Sequence, residues 1–484
     1  MFEHSLVVLT SGTTGVPGRS PPERAMRTDV AIDRSLLALI AYDRRGLRCS
    51  QEFAVPERTD RELEQTLVQC LKSLLASTRQ WNEKEQIDLS AVARIRHRAL
   101  LINARRYCTL IPAYRKMAEE SGIISVKDVH TISNELTVTT DIFKSYDRSR
   151  LDRRDFGAMN GWLGTIFFRR IPMATEESRS IQDWCRRLSK DRIYVSYSSG
   201  TSGSPSFIPR DPLSLWALRA SGSYYPHPVL CALTSTPFDC LLMTPRGLGT
   251  GLQNAASAIA DLAETAHFLY DVPLTADMVG AGPSKTAMRR DRNILFEQSL
   301  EFLKKSIKTN RSVLIFGPPF EVLDMCRYAA ENFGELHLPP GSVVMTGGGW
   351  KNADHVPENM VEDLIAAALG VPSSHTVDGY STSELNVTLQ TCTERRYHIP
   401  PLVEPLVVDD QLTPLEGSDN TGTLAFLDPF AVSYPGFLVT GDVGRLINDR
   451  CDCGLDGWSI AGRITRSAHT AERGCAGVAA SVLA

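Results

Sequence analysis

Apolar positions recur at helical spacing near residues 60–78, in a run that begins Asp60-Arg61-Glu62-Leu63-Glu64-Gln65-Thr66-Leu67, and this predicts a helix. From about 91 to 190 the spacing stays helical with polar connections, punctuated by Pro112-Ala113-Tyr114-Arg115 and Ile142-Phe143-Lys144. From 190 to about 440 the pattern changes. Short β-rich apolar runs such as Ile193-Tyr194-Val195-Ser196-Tyr197, Val313-Leu314-Ile315-Phe316 and Ser342-Val343-Val344-Met345 end in glycine, proline or hydroxyl-rich turns. They alternate with helical stretches, and that alternation predicts an α/β layered fold. No heptad or solenoid repeat is visible. The rest of residues 1–90 is arginine-rich and proline-containing and gives no clear pattern, so this part is expected to be an N-terminal extension.

A chain of 484 residues can form two or more domains. At 43% hydrophobic and 22% charged, the composition is that of a soluble globular protein. A net charge of −4 argues against a surface that coats nucleic acid. No apolar run approaches the ~20 residues of a membrane span. Met1-Phe2-Glu3-His4 offers no basic start, and the apolar stretch from Leu6 to Leu9 is too short for a signal peptide. A cytoplasmic location is therefore expected. The 11 cysteines are scattered and odd in number, so in a reducing compartment most serve as buried hydrophobes and a few are free for metal or chemistry.

The run Ile193–Tyr197 leads into Ser198-Ser199-Gly200-Thr201-Ser202-Gly203-Ser204-Pro205-Ser206. Such a loop offers N–H groups and hydroxyls to a polyphosphate, and its glycines let the main chain approach the anion. No Gly-Lys-Ser/Thr follows, so it is not a Walker loop. Alone, such a stretch is more often a flexible loop. Three further pieces follow in order. Met345-Thr346-Gly347-Gly348-Gly349-Trp350-Lys351 lets a flat ring or a phosphate lie against backbone. Asp378-Gly379-Tyr380-Ser381-Thr382-Ser383-Glu384-Leu385-Asn386 carries a carboxylate among hydroxyls, and Val439-Thr440-Gly441-Asp442-Val443-Gly444-Arg445 a second one.

Together with Gly462-Arg463, these pieces resemble the motifs of the adenylate-forming enzymes (acyl-CoA synthetases and their relatives) over residues 198 to 463. The resemblance implies that family's large α/β domain, here residues 91–463, with ATP and Mg2+ as cosubstrate and cofactor. It implies that Ser198, Ser199, Gly200, Thr201, Ser202 and Gly203 cradle phosphate, that Gly347, Gly348 and Gly349 line the adenine pocket, and that Asp378 and Gly379 belong to the nucleotide-binding residues. Tyr380 would stack on adenine, Ser383 would touch the α-phosphate and Glu384 would hold Mg2+, a hard cation that wants carboxylate oxygen. Asp442 would bind the ribose hydroxyls and Arg463 would precede the hinge. Ser381 and Ser383 depart from the family's glycine and threonine. A similar loop at Leu9-Thr10-Ser11-Gly12-Thr13-Thr14-Gly15-Val16-Pro17-Gly18 has almost no chain before it and reads as a remnant or a chance match.

A narrower resemblance covers roughly 95 to 480. It rests on Phe143-Lys144, Trp350-Lys351, Tyr397-His398-Ile399-Pro400-Pro401, Phe426-Leu427-Asp428, Ser433-Tyr434-Pro435 and Arg473-Gly474-Cys475. These are similar to the acyl-protein synthetases, the acid-activating component of bacterial bioluminescence fatty acid reductases, with phenylacetate-CoA ligases as cousins. The resemblance places the acyl-accepting thiol on Cys475. The family's lid domain, with its catalytic lysine, does not fit in the tail 464–484, and Ile464-Thr465-Arg466 lacks the hinge acid. Lys351 is the candidate that counters charge on the carboxylate or phosphate. The acid is expected to be fatty or aromatic, and a reductase or carrier protein to take the acyl group. Gly247-Leu248-Gly249-Thr250-Gly251-Leu252 and residues 315–320 are expected to line its pocket. A ligase that delivers the same adenylate to CoA, a carrier or an amine stays open, as does a non-catalytic nucleotide-binding protein.

Cys392, His398, Cys451 and Cys453 offer three thiols and one imidazole, a set that suits tetrahedral Zn2+. With all four ligands from protein, such a zinc is structural rather than catalytic. The alternative is a pair of reduced thiols on a turn and a core histidine.

Overall fold

In the computed structural model the described residues are 57–123, 125–172, 177–198, 204–221, 226–246, 249–270, 285–348 and 356–466. The strands in chain order are β1 (Val138–Thr139), β2 (Tyr194–Tyr197), β3 (Phe207–Arg210), β4 (Asp239–Pro245), β5 (Thr265–Tyr270), β6 (Val313–Gly317) and β7 (Val343–Gly347). They continue with β8 (Thr376–Tyr380), β9 (Leu389–Thr391), β10 (Tyr397–His398), β11 (Glu404–Val408), β12 (Asp419–Leu427), β13 (Phe437–Arg450) and β14 (Asp456–Arg466). Twelve of them form one sheet in the order β11-β12-β13-β14-β10-β9-β8-β7-β6-β4-β5, with β1 beside β13, while β2 and β3 form a separate hairpin.

The sheet has two halves. From β5 to β8 neighbouring strands are parallel. From β8 onward through β9, β10, β14, β13, β12 and β11 they are antiparallel. Parallel strands need covering on both faces, so their sequences read as unbroken apolar runs. Successive side chains of these runs point to opposite faces. Leu241, Val313, Ile315 and Val344 pack against helices Lys285–Lys308, Pro319–Asn332 and Glu358–Leu369 through Leu300, Leu303, Leu323 and Ile365. Leu242, Leu314, Phe316, Val343 and Met345 face the other way, onto Leu230, Leu233, Ala256 and Ile259 of helices Pro228–Thr234 and Gly251–Leu262. Each such side chain, fully buried, contributes about 1.5–3 kcal/mol.

The predicted helix near 60–78 is present and longer, Glu57–Asn82. It lies against the main body: Arg106 of helix Leu89–Leu110 pairs with Glu64, and the Trp81 indole donates to the Asp456 carbonyl. The described residues belong to one compact unit, and its contacts run across position 90. Pro112 sits at the first turn of helix Pro112–Glu120, where its missing N–H costs nothing.

Two features place the candidate chemistry. In open α/β sheets, ligands bind beyond the carboxyl ends of the parallel strands, where the sheet changes direction. Here β7 and β8 lie beside that change. Their register sets Gly347 opposite Gly379, 32 positions apart in sequence, so two motifs end side by side. A side chain on Gly347 would stand 3.3 Å from the Gly379 carbonyl oxygen, so the close approach favours glycine.

Candidate functional site

The hairpin β2–β3 carries the hydroxyl-rich loop. Ser198 N–H donates to the Ser206 carbonyl (3.1 Å), and Ser206 N–H donates to the Ser198 hydroxyl (2.9 Å). The loop is thus pinched at its base. Ser199, Gly200, Thr201, Ser202 and Gly203 lie outside the described residues, as do Gly349, Lys351, Cys475, Gly247, Leu248 and the similar loop at 9–18. Tyr197 N–H donates to the Gly249 carbonyl (2.7 Å), and a Cβ on Gly249 would overlap the Tyr197 ring. Thr250 then caps helix Gly251–Leu262 in a reciprocal box with Gln253. The helix start lies beside two motifs: a Cβ on Gly251 would be 3.7 Å from Ser383 Cα, and one on Gly348 would be 3.7 Å from the Leu252 methyls. Gly348 has φ +80°, a conformation that favours glycine.

After β8 the chain turns into Ser381–Asn386. Glu384 is buried, with 6% of its surface exposed. Burial raises its carboxyl above the ordinary range, while its own N–H, the Ser206 hydroxyl and the charge of Arg210 pull the other way. Arg210, at the end of β3, is fully buried. Its guanidinium donates to the carbonyls of Ser383 (2.6 Å) and Leu385 (3.4 Å) and to the Asn386 side-chain oxygen (3.1 Å). Asp428 accepts from the backbone and side-chain N–H groups of Asn386 (3.0 and 2.9 Å) and from Phe430 N–H (2.8 Å). The Tyr434 hydroxyl donates to the Glu384 carbonyl (2.8 Å). Ser381 is exposed, and its hydroxyl donates to the Val387 carbonyl (2.9 Å).

Tyr380 and Asp442, far apart in sequence, meet. The Tyr380 hydroxyl donates to one Asp442 oxygen (2.8 Å), and burial with that carboxylate pushes the phenol well above its ordinary range. The other Asp442 oxygen faces Arg466 (3.2 Å). Arg463 is exposed on β14. The register shifts between Val443 and Arg445, and Arg466 stands opposite Asp442, where the unshifted pairing would set Ile464. Arg466 is itself 81% exposed, so this pair contributes little stability. Asp378 has both oxygens engaged, by the Thr346 and Tyr397 hydroxyls, which fixes its orientation beside Gly347 and Gly379.

The four metal-ligand candidates converge. The donor atoms of Cys392, His398, Cys451 and Cys453 all lie within 4.8 Å of one another. The Cys392 and Cys451 sulfurs are 3.9 Å apart, and the Cys453 sulfur is 3.2 Å from His398 Nε2. Thiolates held tetrahedrally at ~2.3 Å from zinc stand about 3.8 Å apart, so the spacing fits. Hydrogen bonds from Cys453 and His398 hold the Cys392 thiol far below its ordinary value. Gly454 turns the chain with φ +96°, Lys84 donates to the Cys453 carbonyl (2.6 Å), and the Trp81 ring meets His398 edge-on at 6.1 Å.

Arg210, Asn386, Asp428 and Arg466 were not singled out as site residues from the sequence. The signal that could have found Arg210 is an arginine closing a strand of otherwise buried residues, directly after the hydroxyl loop.

The fold is that of the adenylate-forming ligases. It is similar to 2-hydroxyisobutyryl-CoA ligase in an open conformation with 2-HIB-AMP and CoA, at TM-score 0.51 and 15% identity over 79% of this chain and 71% of that one. The same ligase in its postadenylation state with R3-HIB-AMP gives TM-score 0.51 and 14% identity over 80% and 69%. The family model of the acyl-protein synthetases, LuxE, matches residues 185–484, and the chain belongs to that family. The long-chain-fatty-acid–luciferin-component ligase of Aliivibrio fischeri is 26% identical over 331 residues, 66% of this chain and 77% of that ligase. The ligase of the same name from Vibrio harveyi is 28% identical over 261 residues, 53% of this chain and 64% of that one. The chain is thus a ligase of the kind that forms an acyl-adenylate with ATP and passes the acyl group to a thiol or protein. No described helix is long and apolar enough to cross a membrane.

Proposed function

We propose that this chain activates a fatty acid with ATP and transfers the acyl group to its own Cys475, from which a partner reductase or carrier takes it. The observation that carries the reading is the grouping of Glu384, the Tyr380–Asp442 pair and the glycines 347, 348 and 379 around the carboxyl ends of β7 and β8, inside the sheet. The names of the two curated relatives, both long-chain-fatty-acid ligases, support the choice of acid.

Tyr380 offers an aromatic face to adenine, and Asp442 keeps a lone pair on each oxygen for a ribose hydroxyl. Residues 198–203 and the start of helix Gly251–Leu262 supply N–H donors for phosphate. Glu384 is a buried carboxylate whose charge is only partly matched, which fits a hard divalent cation. Mg2+ bound there would neutralise charge on the triphosphate. The acid carboxylate attacks the α-phosphorus, and the bond to pyrophosphate breaks. Positioning and charge neutralisation carry that step, with Lys351 as the countering cation. The Cys475 thiolate then attacks the acyl carbonyl, the thioester forms and AMP leaves. Cys392, His398, Cys451 and Cys453 hold a structural Zn2+.

The test is ATP–pyrophosphate exchange on a panel of fatty, aromatic and amino acids, followed by intact-mass analysis of the acylated protein. Exchange with fatty acids and an adduct that disappears in Cys475→Ala are expected. Exchange without any adduct, or full acyl transfer by Cys475→Ala to CoA or an amine, would place the acceptor elsewhere. Binding of ATP without exchange on any acid would leave a non-catalytic nucleotide-binding protein.

A further inference from the structure

We infer that Arg210 is a positioning residue that sets Glu384 for its divalent cation, acting through the backbone of residues 383–386. The inference rests on Glu384 as the ion ligand, as proposed above.

Residues 381–388 lie outside any helix or strand, yet their backbone is held from several sides. Three consecutive carbonyls are taken by side chains from elsewhere: Ser383 and Leu385 by one Arg210 nitrogen, Nη2 (2.6 and 3.4 Å), and Glu384 between them by the Tyr434 hydroxyl (2.8 Å). The next residue, Asn386, binds Arg210 through its side-chain oxygen and Asp428 through both of its N–H groups. The Tyr434 ring lies 5.2 Å from the guanidinium carbon, so the same ring that holds Glu384 also supports Arg210. A loop would ordinarily leave such carbonyls to water, at the surface. Burying a guanidinium to satisfy them instead is costly, and apolar packing would hold β3 as well. What apolar packing cannot supply is a planar group whose Nη2 holds the carbonyls on either side of Glu384 while its Nε holds the Asn386 side chain. Arg210 also closes the strand that follows the hydroxyl loop, so the loop base and the Glu384 segment share one anchor.

The test is calorimetric titration of the full chain with ATP, once with Mg2+ and once with EDTA, and the readout is the ratio of the two dissociation constants. Arg210→Lys keeps the charge but replaces the planar Nε and Nη2 pair by a point donor. It is expected to shrink the ratio about tenfold while the EDTA value moves less than about twofold. Glu384→Gln should shrink the ratio equally, and the double variant no further, because residues acting through one another are not additive. An unchanged ratio in folded Arg210→Lys, or a double variant that loses the sum of both effects, overturns the inference. If Arg210→Lys does not fold, Tyr434→Phe decides. It removes the hydroxyl on the Glu384 carbonyl at nearly constant shape, and an unchanged ratio there overturns the inference too. An unchanged ratio in Glu384→Gln overturns the ion-ligand reading itself, and Arg210 with it.

Discussion

Replacing Glu384 by glutamine is expected to stabilise the ligand-free protein at neutral pH and to weaken its response to Mg2+ and ATP. Three charged groups are buried together: Arg210 with 0% of its surface exposed, Asp428 with 1% and Glu384 with 6%. One cation faces two carboxylates. Burial raises both carboxyls; at Asp428 three N–H donors work against it, and at Glu384 its own N–H and the Ser206 hydroxyl do. Glutamine has nearly the same shape and no charge, so it relieves the unmatched part at a gain of ~1–2 kcal/mol, the usual scale for neutralising a functional site. The sign with pH follows from the upward shift. Below the unfolded value near ~4.3 the glutamate is neutral in both states, and the two proteins differ little. As pH rises through the raised folded value, the wild type loses stability that the variant keeps. Urea unfolding across this range should therefore show a gap that opens toward pH of about 8. With Mg2+ and ATP present the order should reverse, because binding adds to the wild type by mass action. A variant no more stable than wild type at pH of about 8, or a gap that widens toward acid, would refute the reasoning.

Freshly purified, unchelated protein should contain about one equivalent of Zn2+. Cys451→Ser should lose most of it and melt earlier, and metal analysis near zero in the wild type would contradict the site. Asp442→Ala leaves the Tyr380 hydroxyl without its acceptor and should raise KM for ATP about tenfold in exchange assays, with KM for the acid unchanged. An equal rise for both would point to a general loss of structure.

How much of this was legible in the sequence depends on where each signal lives. The parallel half of the sheet was legible because strands covered on both faces are continuous apolar runs, as in Val313–Gly317 and Val343–Gly347. The antiparallel half was not. Strand β13 runs from buried Phe437 to the exposed end at Arg450, mixing apolar, glycine and charged positions, and it registered only as the motif at its centre. The four metal-ligand candidates were legible because cysteine and histidine are rare enough for spacing alone to group them. Arg463 was singled out by its Gly-Arg dipeptide, but a two-position register shift, invisible in sequence, sets Arg466 across from Asp442.

Arg210 is the instructive miss. Its contacts, Ser383, Leu385 and Asn386, lie more than 170 positions away, so no local period or spacing could announce them. The motif that was read, Ser381–Asn386, names the groups that would meet the nucleotide, and its partners are the groups that shape it. Those partners come from β3, from the end of β12 and from the turn before β13, three segments of both sheets. Each contributes one side chain whose own polar atoms would be costly to bury unpaired. The bonds they make fix the loop, while Nη1 of Arg210 stays buried without a hydrogen-bond partner among the described residues. If Glu384 is left short of countercharge by this arrangement, the site is least stable when empty, and the stability withheld there is what binding of the cation restores.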